Sequence, residues 1–120
     1  MHALLIEDEY LVVLSIEQAL RQIGFTSFAD ANSVDEAVVS AEQQCPDLII
    51  ADHHLIDGTG TDAVLAICSD RDIPVVFVTA NGREVVRRLP RAIVVDKPFV
   101  ERSLHAAVAK ARGMPFACPG

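Results

Sequence analysis

Hydrophobic residues are arranged along this chain in two alternating patterns. Short continuous apolar runs occupy residues 3–6, 48–51, 75–78 and 92–95, each bounded by acids, Pro or a turn signal, which is how strands buried on both faces read. Residues 25–29 supply a fifth, less regular candidate. Between these runs apolar residues recur at steps of three and four. Val13, Ile16, Leu20 and Ile23 mark a first helix, Val34, Ala37, Val38 and Ala41 a second, and Val64, Leu65 and Ile67 a third. Val85, Val86 and Leu89 mark a short fourth, and Leu104, Ala107, Val108 and Ala111 a fifth. Gly24 and Gly113 stand where helix stops belong, and Ser33 with Glu36 three residues on has the form of a capping box. Pro46-Asp47, the run Asp57-Gly58-Thr59-Gly60, Asn81-Gly82 and Pro90 break the chain between elements.

Strands alternating with helices predict a doubly wound α/β fold: five parallel strands in the flavodoxin-like order 2-1-3-4-5, with helices on both faces. The 120 residues suit a single domain, placed at residues 1–112 with a short tail at 113–120 and no room for an effector domain. Hydrophobic residues at 51% and charged residues at 22% are a globular balance. The net charge of −7 repels phosphate backbones and anionic lipid, so neither nucleic acid nor membrane is expected as a partner. The start Met1-His2-Ala3-Leu4-Leu5-Ile6-Glu7-Asp8 lacks a signal sequence, no apolar run approaches a membrane span, and a cytoplasmic location is expected. Cys45, Cys68 and Cys118 have no metal or redox spacing and read as reduced thiols.

Ligands of such sheets bind at the carboxyl ends of the strands, beside the point where the order reverses. The first strand ends in Glu7-Asp8, the third in Asp52, the fourth in Thr79 and the fifth in Asp96-Lys97. Strands one and three are neighbours in this order, so Glu7, Asp8 and Asp52 should share a pocket with Lys97. Three carboxylates and one ammonium leave a deficit that a divalent cation removes, and oxygen-only ligands favour Mg²⁺. That ion commonly completes its shell with water and substrate phosphate.

With Leu55 and Gly60 in the loop after Asp52, Thr79-Ala80 after the fourth strand and Lys97-Pro98-Phe99 after the fifth, the chain resembles the receiver domain of two-component response regulators along nearly its whole length. The resemblance implies that Asp52 is the phosphoacceptor, taking a phosphoryl group from a sensor histidine kinase or a phosphotransfer protein. It further implies that Asp8 and Asp52 ligate Mg²⁺ directly, the His54 backbone carbonyl adds a protein oxygen, and Glu7 acts through a metal-bound water. Lys97, the Thr79 hydroxyl and the Ala80 N–H would contact the phosphoryl oxygens, and Lys97-Pro98 would be cis. A stand-alone receiver of this kind is not an ordinary enzyme. It would assist its own phosphorylation and dephosphorylation and, as a monomer or a phosphorylation-dependent dimer, either shuttle the phosphoryl group onward or signal to a downstream protein by conformational change. Phe77-Val78-Thr79-Ala80 is similar to a run in receivers of alphaproteobacterial-type stress pathways.

Val94 stands where many receivers carry Tyr or Phe, so an inward-turning ring is absent from the exit route, and Ile56 replaces a usual Pro. Two other functional classes fit parts of the pattern. A Mg²⁺-dependent phosphohydrolase with an aspartyl nucleophile needs a second acid two residues on, where His54 stands. A phosphorylation-independent interaction module usually lacks an acid or the Lys, and neither is missing. A transition-metal site at His53-His54 is disfavoured because consecutive residues of a strand end point to opposite sides. Arg83, Arg87, Arg88 and Arg91 read first as a solvated basic face, or as a docking surface for an acidic partner.

Overall fold

The computed structural model describes residues 1–113. The elements follow in the order β1 (His2–Ile6), α1 (Tyr10–Arg21), β2 (Ser27–Ala31), α2 (Val34–Gln43), β3 (Leu48–Ala51), a two-residue ribbon of β4 (His54–Leu55) and β5 (Gly58–Thr59), then α3 (Gly60–Ile67). β6 (Val75–Thr79), α4 (Gly82–Arg88), β7 (Ile93–Asp96) and α5 (Glu101–Gly113) complete it. The main sheet has the order β2-β1-β3-β6-β7 with every pairing parallel. Setting the small antiparallel ribbon aside, this is the expected five-stranded doubly wound order.

The two apolar periods build one core on each face of the sheet. Along β1 and β3, Ala3, Leu5, Leu48 and Ile50 face one layer, where Val13, Ile16 and Leu20 of α1 meet Leu104 and Val108 of α5. Leu4, Ile6, Ile49 and Ala51 face the other, against Ala37 and Ala41 of α2, Val64 and Ile67 of α3, and Val85 of α4. Period-two alternation thus appears inside runs that are apolar throughout, because helices cover both sides.

Three expectations shift. The second strand begins at Ser27 rather than Phe25, because parallel register with β1 pairs His2 with Ser27 and Ile6 with Ala31. Phe25 instead turns fully into the core after Gly24, whose φ of +101° glycine adopts readily. The fifth strand is Ile93–Asp96, one residue later than expected, and Gly113 is the last residue of α5 rather than a stop beyond it. Residues 114–120, including Cys118 and the expected tail, lie outside the described residues; Cys45 is exposed and Cys68 buried.

Candidate functional site: an acidic cleft at the strand ends

Parallel register brings Glu7 and Asp52 together. β1 and β3 pair Ile6 with Ala51, so the next residue of each strand leaves the sheet at the same height. The Asp52 N–H donates to the Ile6 carbonyl at 2.9 Å, and the Glu7 N–H to the Ala31 carbonyl at 2.9 Å. Both side chains are buried, Glu7 at 4% and Asp52 at 8% exposure. On the other side β6 and β7 pair Thr79 with Asp96, and the Lys97 N–H donates to the Thr79 carbonyl at 3.1 Å. Lys97 then reaches across the sheet edge, with Nζ 3.0 Å from Asp52 Oδ2 and 3.2 and 3.1 Å from the two Glu7 oxygens.

One ammonium does not neutralise this corner. Burial, and next the nearby Asp52 carboxylate, push the Glu7 carboxyl up to about 7 despite its bonds to Lys97. Burial works against the Lys97 ammonium too, but its bonds to Asp52 and Glu7 outweigh that and raise its pKa. Asp8 is exposed at the mouth, and Glu7, Asp8, Glu9 and Asp52 each offer an oxygen within 4.8 Å of the others. Glu9, which also lies 3.6 Å from Lys97 Nζ, was not among the expected residues. The unbroken acidic run Glu7-Asp8-Glu9 was the signal for it. An all-oxygen set with a surplus of negative charge fits a hard divalent cation such as Mg²⁺.

The remaining expected residues surround this cleft. Thr79 is fully buried, and its Oγ1 accepts from the Asn81 N–H at 3.0 Å; Ala80 between them is exposed. His54 opens the small ribbon, and Lys97-Pro98 is cis. Gly60 is the first residue of α3, and its place is dictated by sterics. A Cβ there would lie 1.7 Å from the Asp52 carbonyl oxygen, while the Gly60 N–H donates to the His53 carbonyl at 2.7 Å.

The response regulator receiver domain family matches residues 3–109 of the chain. The chain belongs to that family. This receiver is 33% identical over 112 residues to the phyllosphere-induced regulator PhyR of Methylorubrum extorquens, covering 90% of this chain and 42% of that protein. It is 35% identical over 109 residues to the transcriptional regulatory protein PdtaR of Mycobacterium tuberculosis, covering 88% and 53%. The chain therefore spans about half the length of the curated relatives it matches. Among solved structures, the Erythrobacter litoralis PhyR receiver domain superposes with a TM-score of 0.86 at 29% identity, covering 97% of this chain and 92% of that one. The receiver domain of the sensor histidine kinase PA1611 from Pseudomonas aeruginosa, which holds a magnesium ion in its active-site cleft, gives 0.79 at 28% identity, covering 93% and 97%. The receiver is thus a module of two-component signalling rather than a conventional enzyme. No helix among its described residues is long and apolar enough to cross a membrane.

Beside the cleft the structure corrects one expectation and refines another. The chain turns sharply between β3 and β4, so strand alternation fails there and the His53 and His54 rings meet edge-on, 4.8 Å apart between centroids. Arg88 is exposed, as expected of that basic face, but it is also held by partners of its own. Its Nη1 donates to Thr59 Oγ1 at 3.1 Å, Thr61 Oγ1 at 2.6 Å and Asp62 Oδ1 at 2.9 Å, fastening α4 to the start of α3. Thr59 and Asp62 form a reciprocal capping box on α3, which the sequence reading missed. Burial of Asp62 is outweighed by its bonds to Arg88 and Thr59, which hold its carboxyl below the usual range.

Proposed function

We propose that this receiver accepts a phosphoryl group on Asp52 from the phosphohistidine of a sensor kinase or phosphotransfer protein, in the cytoplasm, through the unit formed by residues 1–112. The observation that carries the reading is the buried Glu7–Asp52–Lys97 constellation at adjoining strand ends. An Asp52 carboxylate oxygen bonds to phosphorus as the phosphorus–nitrogen bond to the donor imidazole breaks, and that imidazole keeps the electron pair and takes up a proton.

Asp8, Asp52 and the His54 carbonyl are assigned as direct Mg²⁺ ligands, with Glu7 acting through water. The ion supplies charge stabilisation for the transferring phosphoryl oxygens. Lys97 serves first as counter-ion to Asp52 and Glu7, then pairs with a phosphoryl oxygen once the acceptor is esterified. The Thr79 hydroxyl, now accepting from Asn81, and the Ala80 N–H donate to the others. These bonds exist only in the phosphorylated state and so shift the receiver towards a second conformation that a downstream protein reads.

The test is incubation of the chain with acetyl phosphate and Mg²⁺, followed by intact mass. One added phosphoryl group is expected, abolished in Asp52→Asn and strongly slowed in Lys97→Met and Asp8→Asn. Labelling of Asp52→Asn at the native rate refutes the assignment. Phosphotransfer profiling against the histidine kinases of the source organism then identifies the donor.

A further inference from the structure

A second cluster of ligating side chains lies on the α4 side of Asp52. His53 is buried, 5% exposed, and its Nε2 faces Glu84 Oε2 of α4 at 2.6 Å. Its other ring nitrogen, Nδ1, is buried without a hydrogen-bond partner among the described residues. The exposed His54 ring stands edge-on against it, and His53, His54 and Glu84 each offer a ligand atom within 4.8 Å of the others. Of the two ring nitrogens of His53, Nε2 is engaged by Glu84 and, among the described residues, Nδ1 is not engaged. Two lone pairs at 2.6 Å repel, so a hydrogen or a cation must lie between Nε2 and the carboxylate. A hydrogen bond accounts for Glu84, but not for a second imidazole turned onto the first so that three ligand atoms converge within 4.8 Å.

We infer that His53, His54 and Glu84 form a binding site for an imidazole-preferring divalent transition metal of the Zn²⁺ class, separate from the acidic cleft. Two imidazoles and one carboxylate are a known zinc donor set that leaves further positions to water. Zinc–nitrogen and zinc–oxygen bonds of about 2.0–2.2 Å place tetrahedral N and O ligands about 3.3 Å apart. Reaching that separation from 2.6 Å needs only a small withdrawal of Glu84, which is half-exposed on a short helix and has room to move. The two sites also divide by donor chemistry. The cleft offers carboxylate oxygens alone and suits Mg²⁺, whereas the nitrogen ligands beside it favour Zn²⁺, Ni²⁺ or Cu²⁺. A bound metal joins the segment that follows Asp52 to α4 across 31 positions of sequence.

The experiment is calorimetric titration of the full chain with Zn²⁺ in saturating Mg²⁺, repeated with Co²⁺ to read ligand-field absorption. One equivalent is expected to bind, with affinity lowered at least about tenfold in His54→Ala and in Glu84→Gln. Both positions are exposed, so these variants keep the fold, and His54→Ala keeps the backbone carbonyl assigned to the cleft. Asp8→Asn should bind Zn²⁺ as the native chain does. Binding lost in Asp8→Asn but kept in His54→Ala places the metal in the acidic cleft and overturns the inference. So does the absence of binding, or equal affinity in all variants. None of these results depends on whether Asp52 accepts phosphate.

Discussion

Asp52 and His53 are consecutive and both buried, yet their side chains enter corners built on different principles. The Asp52 corner consists of residues at or immediately past strand ends: Glu7, Asp52, Thr79 and Lys97. Backbone register fixes their heights, and one ammonium serves two buried acids. In the His53 corner, helix side chains reach across loops, as Glu84 does to His53 and Arg88 to Thr59, Thr61 and Asp62. The first corner is short of positive charge and suits incoming ions and phosphoryl groups. Its neighbour satisfies most of its polar groups internally and holds α4 in place. Rigid strands therefore set the chemistry, while long side chains set the position of the helix beside it.

The contrast is broken most severely at Gly60, where both corners share backbone. Gly60→Ala places a methyl group 1.7 Å from the Asp52 carbonyl, so the chain must move. A loss of about 3 kcal/mol is expected in urea denaturation, together with impaired phosphorylation. An unchanged midpoint contradicts the rigid-strand half of the comparison.

Charge shortage in the cleft predicts a pH signature of its own. Glu7 titrates near 7 when folded, against an ordinary 4.5. Between those values the folded protein keeps a proton that the unfolded chain has released. Stability contributed by this group is complete below pH 4.5 and falls as pH rises through 7. We expect a decline of about 1–3 kcal/mol over that window without Mg²⁺, flattened in Glu7→Gln and reduced by Mg²⁺. Urea unfolding at pH 5 and pH 8 measures it, and a native curve parallel to that of Glu7→Gln counts against the uncompensated cleft.

On the other side, Arg88→Ala removes three partly solvated bonds and should cost about 1 kcal/mol, with faster amide exchange in α4. Mg²⁺ affinity should not change, which separates the corners; Lys97→Met must alter it. The smallest effect is the coupling of Arg88 to Thr59. Thr59→Ala loses the α3 cap for about 1 kcal/mol, and the double variant should fall short of additivity by about 0.5 kcal/mol.

Sequence reasoning reached the first corner and not the second, for reasons visible in individual residues. Glu7, Asp52, Thr79 and Lys97 each follow an apolar run, and once strands 1 and 3 are neighbours their meeting follows from parallel register. Val13, Ile16 and Leu20 on one face and Ala37 and Ala41 on the other likewise announced their layers by period. The register of the edge strand β2 was set by β1 rather than by its own composition, so Phe25 was placed in a strand it precedes. His53 and His54 defeated the two-residue rule because the strand had already ended. Arg88 looked like one of several surface cations, since no local pattern marks partners 26 to 29 positions away.

Asp57 adds one more fastening. Its carboxylate accepts from the Val34 N–H at 2.6 Å and the Asp35 N–H at 3.3 Å, pinning the turn between the ribbon strands to the first turn of α2. With Arg88 gripping the next few residues from α4, the stretch downstream of Asp52 is moored at two berths. Displacing that stretch would therefore loosen its bonds to α2, to α4 or to both.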